Sequence, residues 1–242
     1  MPPRSKPRPR WGRRLLAAVL LAAAVVVGWE IVTWPDVERL RRERPTSTAF
    51  IDDYRARLRA QSKPDRVAWT WAPYAAISTE LKRAVLVAED INFFSHGGFD
   101  FGEVRNALTE AVRDRELPRG ASTITQQLAK NLWLSGSRNP YRKVKEAILT
   151  WQLERTLSKR RILELYLNVA EFGPGVYGAG AASQRYFGRA ADGLGSSEAA
   201  ALAAGLPMPN RWHPGVDSPG YRRRVAAILR TMDRATFPAR QI

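Results

Sequence analysis

The chain has 242 residues, no cysteine and a formal net charge of +16. That length admits one sizeable domain plus an appendage, and the lack of cysteine excludes disulfides and thiolate metal sites. The basic surplus selects anionic partners: lipid headgroups, diphosphates or nucleic acid.

Arg4, Lys6, Arg8, Arg10, Arg13 and Arg14 precede every acidic residue. Leu15 to Trp29 is uncharged and rich in Ala, Val and Leu, and Ile31 to Trp34 extends it past Glu30. Together they supply about 20 residues, the length that crosses a bilayer as a helix. Trp11, Trp29 and Trp34 stand where interfacial aromatics belong, and the basic tail predicts a cytoplasmic N-terminus. A cleaved signal peptide is the rival reading. Ala22-Ala23-Ala24 counts against it, because the apolar run continues through Val25 to Val27. The expectation is a basic cytoplasmic tail (1–14), a single transmembrane signal anchor (15–34), and an extracytoplasmic remainder.

Pro35 ends the span, since proline cannot continue the helical ladder. Asp36 to Ala60 is charged and reads as two helical pieces broken near Pro45-Thr46-Ser47-Thr48. Val67 to Trp71 alternates like a short extended segment. Ser78 caps a helix with Leu81, Val85 and Ala88 at helical spacing. Asp100 to Glu103 resembles a capping box ahead of Val104, Leu108 and Ala111. Leu117-Pro118-Arg119-Gly120 breaks that helix. Thr123 to Gln126 is a second capping box, opening a helix through Ile124, Leu128 and Leu132. Asn139-Pro140 opens the next, with Val144, Ile148 and Trp151 as its apolar positions and Leu149 and Leu153 beside them. Ser158 caps a helix with Ile162, Leu163, Tyr166 and Val169. Phe172 to Gly175 reads as a loop, and Ala179–Phe187 and Ser197–Leu206 as small-residue helices. Ser218-Pro219 opens the last helix, with Val225, Leu229 and Met232 on one face. No sustained alternation appears, so the fold class is all-α.

Four polar clusters interrupt this pattern. In the first, Glu89 and Asp90 end an apolar helix, followed by Phe93, His96 and a glycine pair. Partial burial there raises a carboxyl pKa towards the range useful for proton transfer; a solvated helix end is the alternative. In the second, Ser122, Thr123, Gln126 and Gln127 gather at a helix N-terminus, a ready anion site, with Lys130 on the next turn. Ordinary capping is the alternative. In the third, Arg142 and Glu146 share a helix face beside Lys143, as a surface ion pair or as a buried pair that suits a diphosphate. In the fourth, Lys159 and Asn168 are candidates to touch a ligand, while Arg160 and Arg161 read as a solvated face.

Taken together, Glu89-Asp90-x-x-Phe93-x-x-His96-x-Gly98, Gly120-x-Ser122-Thr123-Ile124-Thr125-Gln126-Gln127, Arg142-Lys143-x-x-Glu146 and Ser158-Lys159-x-x-Ile162-Leu163-x-x-Tyr166-Leu167-Asn168 closely resemble the glycosyltransferases that polymerise peptidoglycan, family 51 in the carbohydrate-enzyme classification. The resemblance covers about residues 70 to 235 and is similar to the monofunctional form. It implies a lysozyme-like glycosyltransferase domain there, a membrane-proximal segment at 35–69 and a tail at 236–242. No Ser-x-x-Lys with a later Lys-Thr-Gly is present, so a penicillin-binding transpeptidase is not expected.

The resemblance implies transfer of a lipid-diphosphate-linked glycan onto the 4-hydroxyl of lipid II. Inversion gives a β-linked strand and undecaprenyl diphosphate leaves. Glu89 matches the base and Glu146 the second catalytic carboxylate. Lys130 and Arg142 suit the leaving diphosphate, with Thr123 and Gln127 orienting sugar or phosphate. Asp90, Phe93, His96, Ser122, Gln126, Lys143, Lys159 and Asn168 are the remaining expected substrate-binding positions. Glu146 either holds the cations in place or ligates a divalent ion (Mg or Mn); no cofactor is otherwise required. By analogy with inverting hydrolases, the two carboxylates should face each other across a gap of about 6.5–9.5 Å or more. Expected partners are lipid II, the growing lipid-linked glycan, an anionic membrane surface and the proteins of cell-wall synthesis and division. Nucleic acid is not expected. Leu132, Trp133 and Leu134 either dip into the membrane or pack in the core. The rival classes are a lytic glycan hydrolase and a non-catalytic anchored scaffold.

Overall fold

A computed structural model describes residues 11–114, 122–134, 140–237 and 242. The basic tail through Arg10, the break at 117–120 and the Asn139 cap lie outside the described residues. The chain divides into two units, Met1–Asp36 and Val37–Ile242.

The first unit is helix α1 (Trp11–Val32), which buries none of its side chains. Its 22 residues rise about 33 Å at 1.5 Å each, enough for a hydrocarbon core of about 30 Å. Such a helix is long and apolar enough to cross a membrane.

The second unit starts at Val37, so much of the segment expected as membrane-proximal belongs to the same compact unit as the later helices. A 3-10 turn at Glu38–Arg41 precedes α2 (Ala49–Ala60), whose cap Thr48 accepts from the Ile51 amide at 3.1 Å. Then come β1 (Ala68–Trp69), α3 (Thr79–Glu89), α4 (Phe101–Asp114), α5 (Ile124–Trp133), α6 (Pro140–Thr156) and α7 (Lys159–Val169). β2 (Glu171–Gly173), β3 (Val176–Tyr177), α8 (Ala179–Phe187), α9 (Ser196–Gly205) and α10 (Pro219–Arg234) complete it. Ser78, Thr123, Ser158 and Ser218 cap their helices, each such cap contributing about 1 kcal/mol.

The helices pack in two groups. α9 lies against α3 and α10, and its Ala199, Ala200, Ala203 and Ala204 are fully buried, so the small side chains allow close approach. α5 packs on α2, α6 and α7 through Ile124, Leu128, Leu149, Leu153 and Leu163, all fully buried.

The segment read as a loop at 172–175 contributes instead to a three-stranded sheet in the order β1-β3-β2. β1 runs parallel to β3 and β2 antiparallel to it. Strands of two or three residues carry too little alternation to be read from sequence. Gly178, at φ 79°, follows β3, and a side chain there would strike the Asn168 carbonyl.

Candidate active site

Helix α3 sends Leu81, Val85 and Leu86 into the core, and its last residue, Glu89, is drawn in with them. The Glu89 side chain is 9% exposed. One carboxylate oxygen accepts from Gln127 Nε2 at 2.9 Å and the other from Arg224 Nη2 at 3.1 Å. Burial pushes this carboxyl above its ordinary range, while Gln127, Arg224 and the Lys130 ammonium oppose the push. A carboxylate of raised basicity suits a group that takes a proton from an alcohol.

Gln127 and Lys130 lie on successive turns of α5. The Lys130 ammonium lies 5.6 Å from the Phe50 ring of α2. Burial draws its pKa down. Glu146 and Glu89 hold it up, while Arg142 and Lys143 push it down. One ammonium therefore lies in the field of both expected catalytic carboxylates and of Arg142 and Lys143 of α6. Glu146 is 3% exposed and accepts from Arg142 at 3.1 Å and from Lys143. Of the two sequence readings for this pair, the buried one describes its carboxylate. The structure thus brings Glu89, Gln127, Lys130, Arg142, Lys143 and Glu146 into one electrostatic neighbourhood.

The divalent ion, one of the two alternatives for Glu146, finds no free ligand atom there. Each of its oxygens already faces a cation, and the carboxylate is almost wholly buried. Among the described residues, the His and acid side chains close enough to share an ion are Asp90, His96 and Asp100. Their ligand atoms are engaged in other bonds. Asp90 meets His96 Nε2 at 2.9 Å and the Ile124 amide at 3.0 Å, and Asp100 accepts from Asn92 and from the Glu103 amide.

Several expected substrate-binding side chains are tied into the fold. Asp90 ties the end of α3 to the first amide of α5. His96 bonds Asp90 through Nε2, and its Nδ1 accepts from the Gly98 amide at 3.1 Å, which leaves neither ring nitrogen free. Phe93 is fully buried under the Lys159 ammonium, which stands 4.4 Å from its ring and bonds Glu154 at 2.9 Å. Gln126 closes the capping box on Thr123, and the Thr123 hydroxyl donates to the Gly98 carbonyl at 2.7 Å. Gly98 sits at φ 92°, where an added side chain would meet Thr150 and Glu154. Ser122 bonds Gln127 through its backbone carbonyl. Asn168 is fully buried: its side chain accepts from the Ala72 amide and donates to the Ala72 and Glu164 carbonyls, each at 2.8 Å. Leu132 and Leu134 are buried and pack in the core, while Trp133 is half-buried.

Sequence reasoning missed Arg224 and Glu154. Arg224 sits three residues after Tyr221 and four before Ile228, both buried on α10. A cation in phase with an apolar stripe was the available signal. Glu154 lies one residue after buried Leu153, and its carboxylate receives the Thr125 hydroxyl and Lys159.

A buried carboxylate of raised basicity beside clustered cations, in a helical unit whose chain also carries a span-length apolar helix, fits a membrane-anchored group-transfer enzyme. The transglycosylase family model matches residues 57–233. The chain is 48% identical to the biosynthetic peptidoglycan transglycosylase of Azoarcus sp. (strain BH72) over 207 residues, which cover 84% of this chain and 87% of that one. It is 43% identical over 233 residues to the protein of that name from Thiobacillus denitrificans, with 95% and 97% covered. Against the Bordetella pertussis protein of that name the identity is 40% over 243 residues, with 98% and 100% covered. The chain belongs to the peptidoglycan transglycosylase family and is a glycosyltransferase. The family resemblance and the mostly helical fold read from the sequence both hold.

Proposed function

We propose that this enzyme lengthens peptidoglycan glycan strands by transferring a lipid-diphosphate-linked glycan onto the 4-hydroxyl of lipid II, releasing undecaprenyl diphosphate. Glu89 takes the hydroxyl proton as the oxygen attacks the anomeric carbon. The C–O bond to the diphosphate breaks as the new glycosidic bond forms, so the α-linked donor becomes a β-1,4 link. Lys130 and Arg142 stabilise the charge that builds on the departing diphosphate. Lys143 is 57% exposed and adds to the same field. Glu146 acts by holding Arg142 and Lys143 in place, a role that needs no metal.

One observation carries this reading. The buried Glu89 carboxyl is raised by burial and bonded to Gln127, and the partly buried Lys130, one turn further along the same helix, lies in the electrostatic field of both Glu89 and Glu146. A lytic hydrolase acting on neutral glycan has no use for three cations there. Residues 15–34 anchor the chain with the N-terminus in the cytoplasm and the catalytic unit outside, where its substrates share the same bilayer. Cell-wall synthesis and division proteins are its expected neighbours.

Lipid II turnover by the purified full chain tests the function. Wild type should build glycan strands, and Glu89→Gln should lose at least about a hundredfold in rate, the usual contribution of a positioned base. Retained polymerisation in Glu89→Gln would remove Glu89 from the role of base.

A further inference from the structure

The bond that orients the base does not end at Gln127. Tyr166, on α7, is 1% exposed, and its hydroxyl donates to Gln127 Oε1 at 2.9 Å. Burial pushes the phenol well above its ordinary range, so it stays a neutral O–H donor. The amino end of the same amide meets two acceptors: Glu89 Oε2 at 2.9 Å and the Ser122 carbonyl at 3.4 Å. A flipped amide would set its carbonyl against a carboxylate and a second carbonyl. It would also strip the buried phenol proton of this acceptor, a costly state.

We propose that Tyr166 is a positioning residue for the transfer: its hydroxyl fixes the Gln127 amide so that the amino end, and not the carbonyl, meets Glu89. This rests on Glu89 being the base. Tyr166 is buried behind Gln127 and acts through it.

The charged groups that face Glu89 are Arg224 from α10 and Lys130 from α5. Asp90 adjoins Glu89 in the chain and is bonded to His96 and to the first amide of α5. Tyr166→Phe alters none of these. Its effect falls on the amide, which is then free to turn whenever Glu89 is protonated, because a carboxylic acid can donate to the turned carbonyl. The protonated base is favoured, and the acid limb of the kcat/KM profile moves to higher pH. One neutral hydrogen bond is equivalent to a shift of up to about one pH unit. The rate below the limb should fall by up to about tenfold, while the plateau and KM stay near wild type.

The experiment measures lipid II polymerisation against pH for the full chain as wild type, Tyr166→Phe, Gln127→Ala, the double variant and Glu89→Gln. Tyr166→Phe should move the acid limb up, and in the Gln127→Ala background it should produce no further shift. An unmoved limb overturns the proposal, as does an equal shift without Gln127. If the Phe variant does not fold, 3-fluorotyrosine at position 166 keeps the ring and sharpens the donor. It should move the limb down, and a limb that stays put counts against the proposal. The two readings fail separately: active Glu89→Gln defeats the base, whereas inactive Glu89→Gln with an unmoved Tyr166→Phe limb defeats only the positioning role.

Discussion

Asn168→Ala separates a structural latch from a substrate ligand. The Asn168 side chain satisfies both the amide and the carbonyl of Ala72, a residue 7% exposed that follows β1. Its third bond goes to the Glu164 carbonyl at the i−4 position of α7, which the helical ladder also serves. Truncation therefore orphans two buried backbone groups, at about 1–3 kcal/mol each, or about 4 kcal/mol together. For a unit of this size each kcal/mol lowers the melting midpoint by about 2–4 °C, so the drop should be about 8–16 °C. The Trp69 indole donates to the Asn168 backbone carbonyl at 2.7 Å and would keep that bond. Asn168→Asp sharpens the test. It retains an acceptor for the Ala72 amide but turns a carboxylate towards two carbonyl oxygens. Its folded pKa is raised above the unfolded value, so the variant is weakest at neutral pH and recovers as pH falls. Calorimetry of the full chain across pH reads both effects. If both variants melt like wild type while lipid II turnover collapses, Asn168 is a ligand for substrate and the latch is wrong.

Side-chain spacing and capping chemistry made the helices legible. Ser78, Thr123, Ser158 and Ser218 announce their helices locally, with hydroxyls that each accept from the amide three residues on. The site was legible where chemistry and burial coincide, as at Glu89 and Glu146. It was less legible where a polar side chain turns inward. His96, Lys159 and Asn168 look like ligand-binding residues in a string of letters, yet each is bonded within the fold: His96 to Asp90 and Gly98 and Lys159 to Glu154 close by in the chain, and Asn168 to Ala72, 96 residues away. Arg224 was lost for the converse reason: it reaches Glu89 from 135 residues away, and only the packing of α10 on α3 brings them together. On α6 the two sets of apolar positions have opposite fates. Leu149 and Leu153 are buried, whereas Val144, Ile148 and Trp151 are 58%, 44% and 52% exposed. Periodicity marked both faces and could not say which one meets the core.

That exposed α6 stripe, with Tyr141 in phase, should contact lipid. The chain has no cysteine, so a nitroxide on Ile148→Cys is unique. In vesicles it should be relaxed by dissolved oxygen more than by a water-soluble metal complex, with a label on Ser197→Cys of α9 showing the reverse. Equal water access at both positions would refute the contact. Glu89 also carries a cost for the fold. Its carboxyl is raised by burial, so the folded state favours the protonated form. Below the unfolded pKa both states are protonated and the group contributes no difference. As pH rises through the folded pKa, wild type must ionise a buried group that the unfolded chain ionises freely. Glu89→Gln avoids that penalty, so its melting midpoint relative to wild type should climb from acid to neutral pH while polymerisation is lost. Scanning calorimetry of both proteins across that range decides. If wild type instead gains on the variant as pH rises, Arg224, Gln127 and Lys130 outweigh burial, and Glu89 is a stabilised anion too weakly basic for the role given to it.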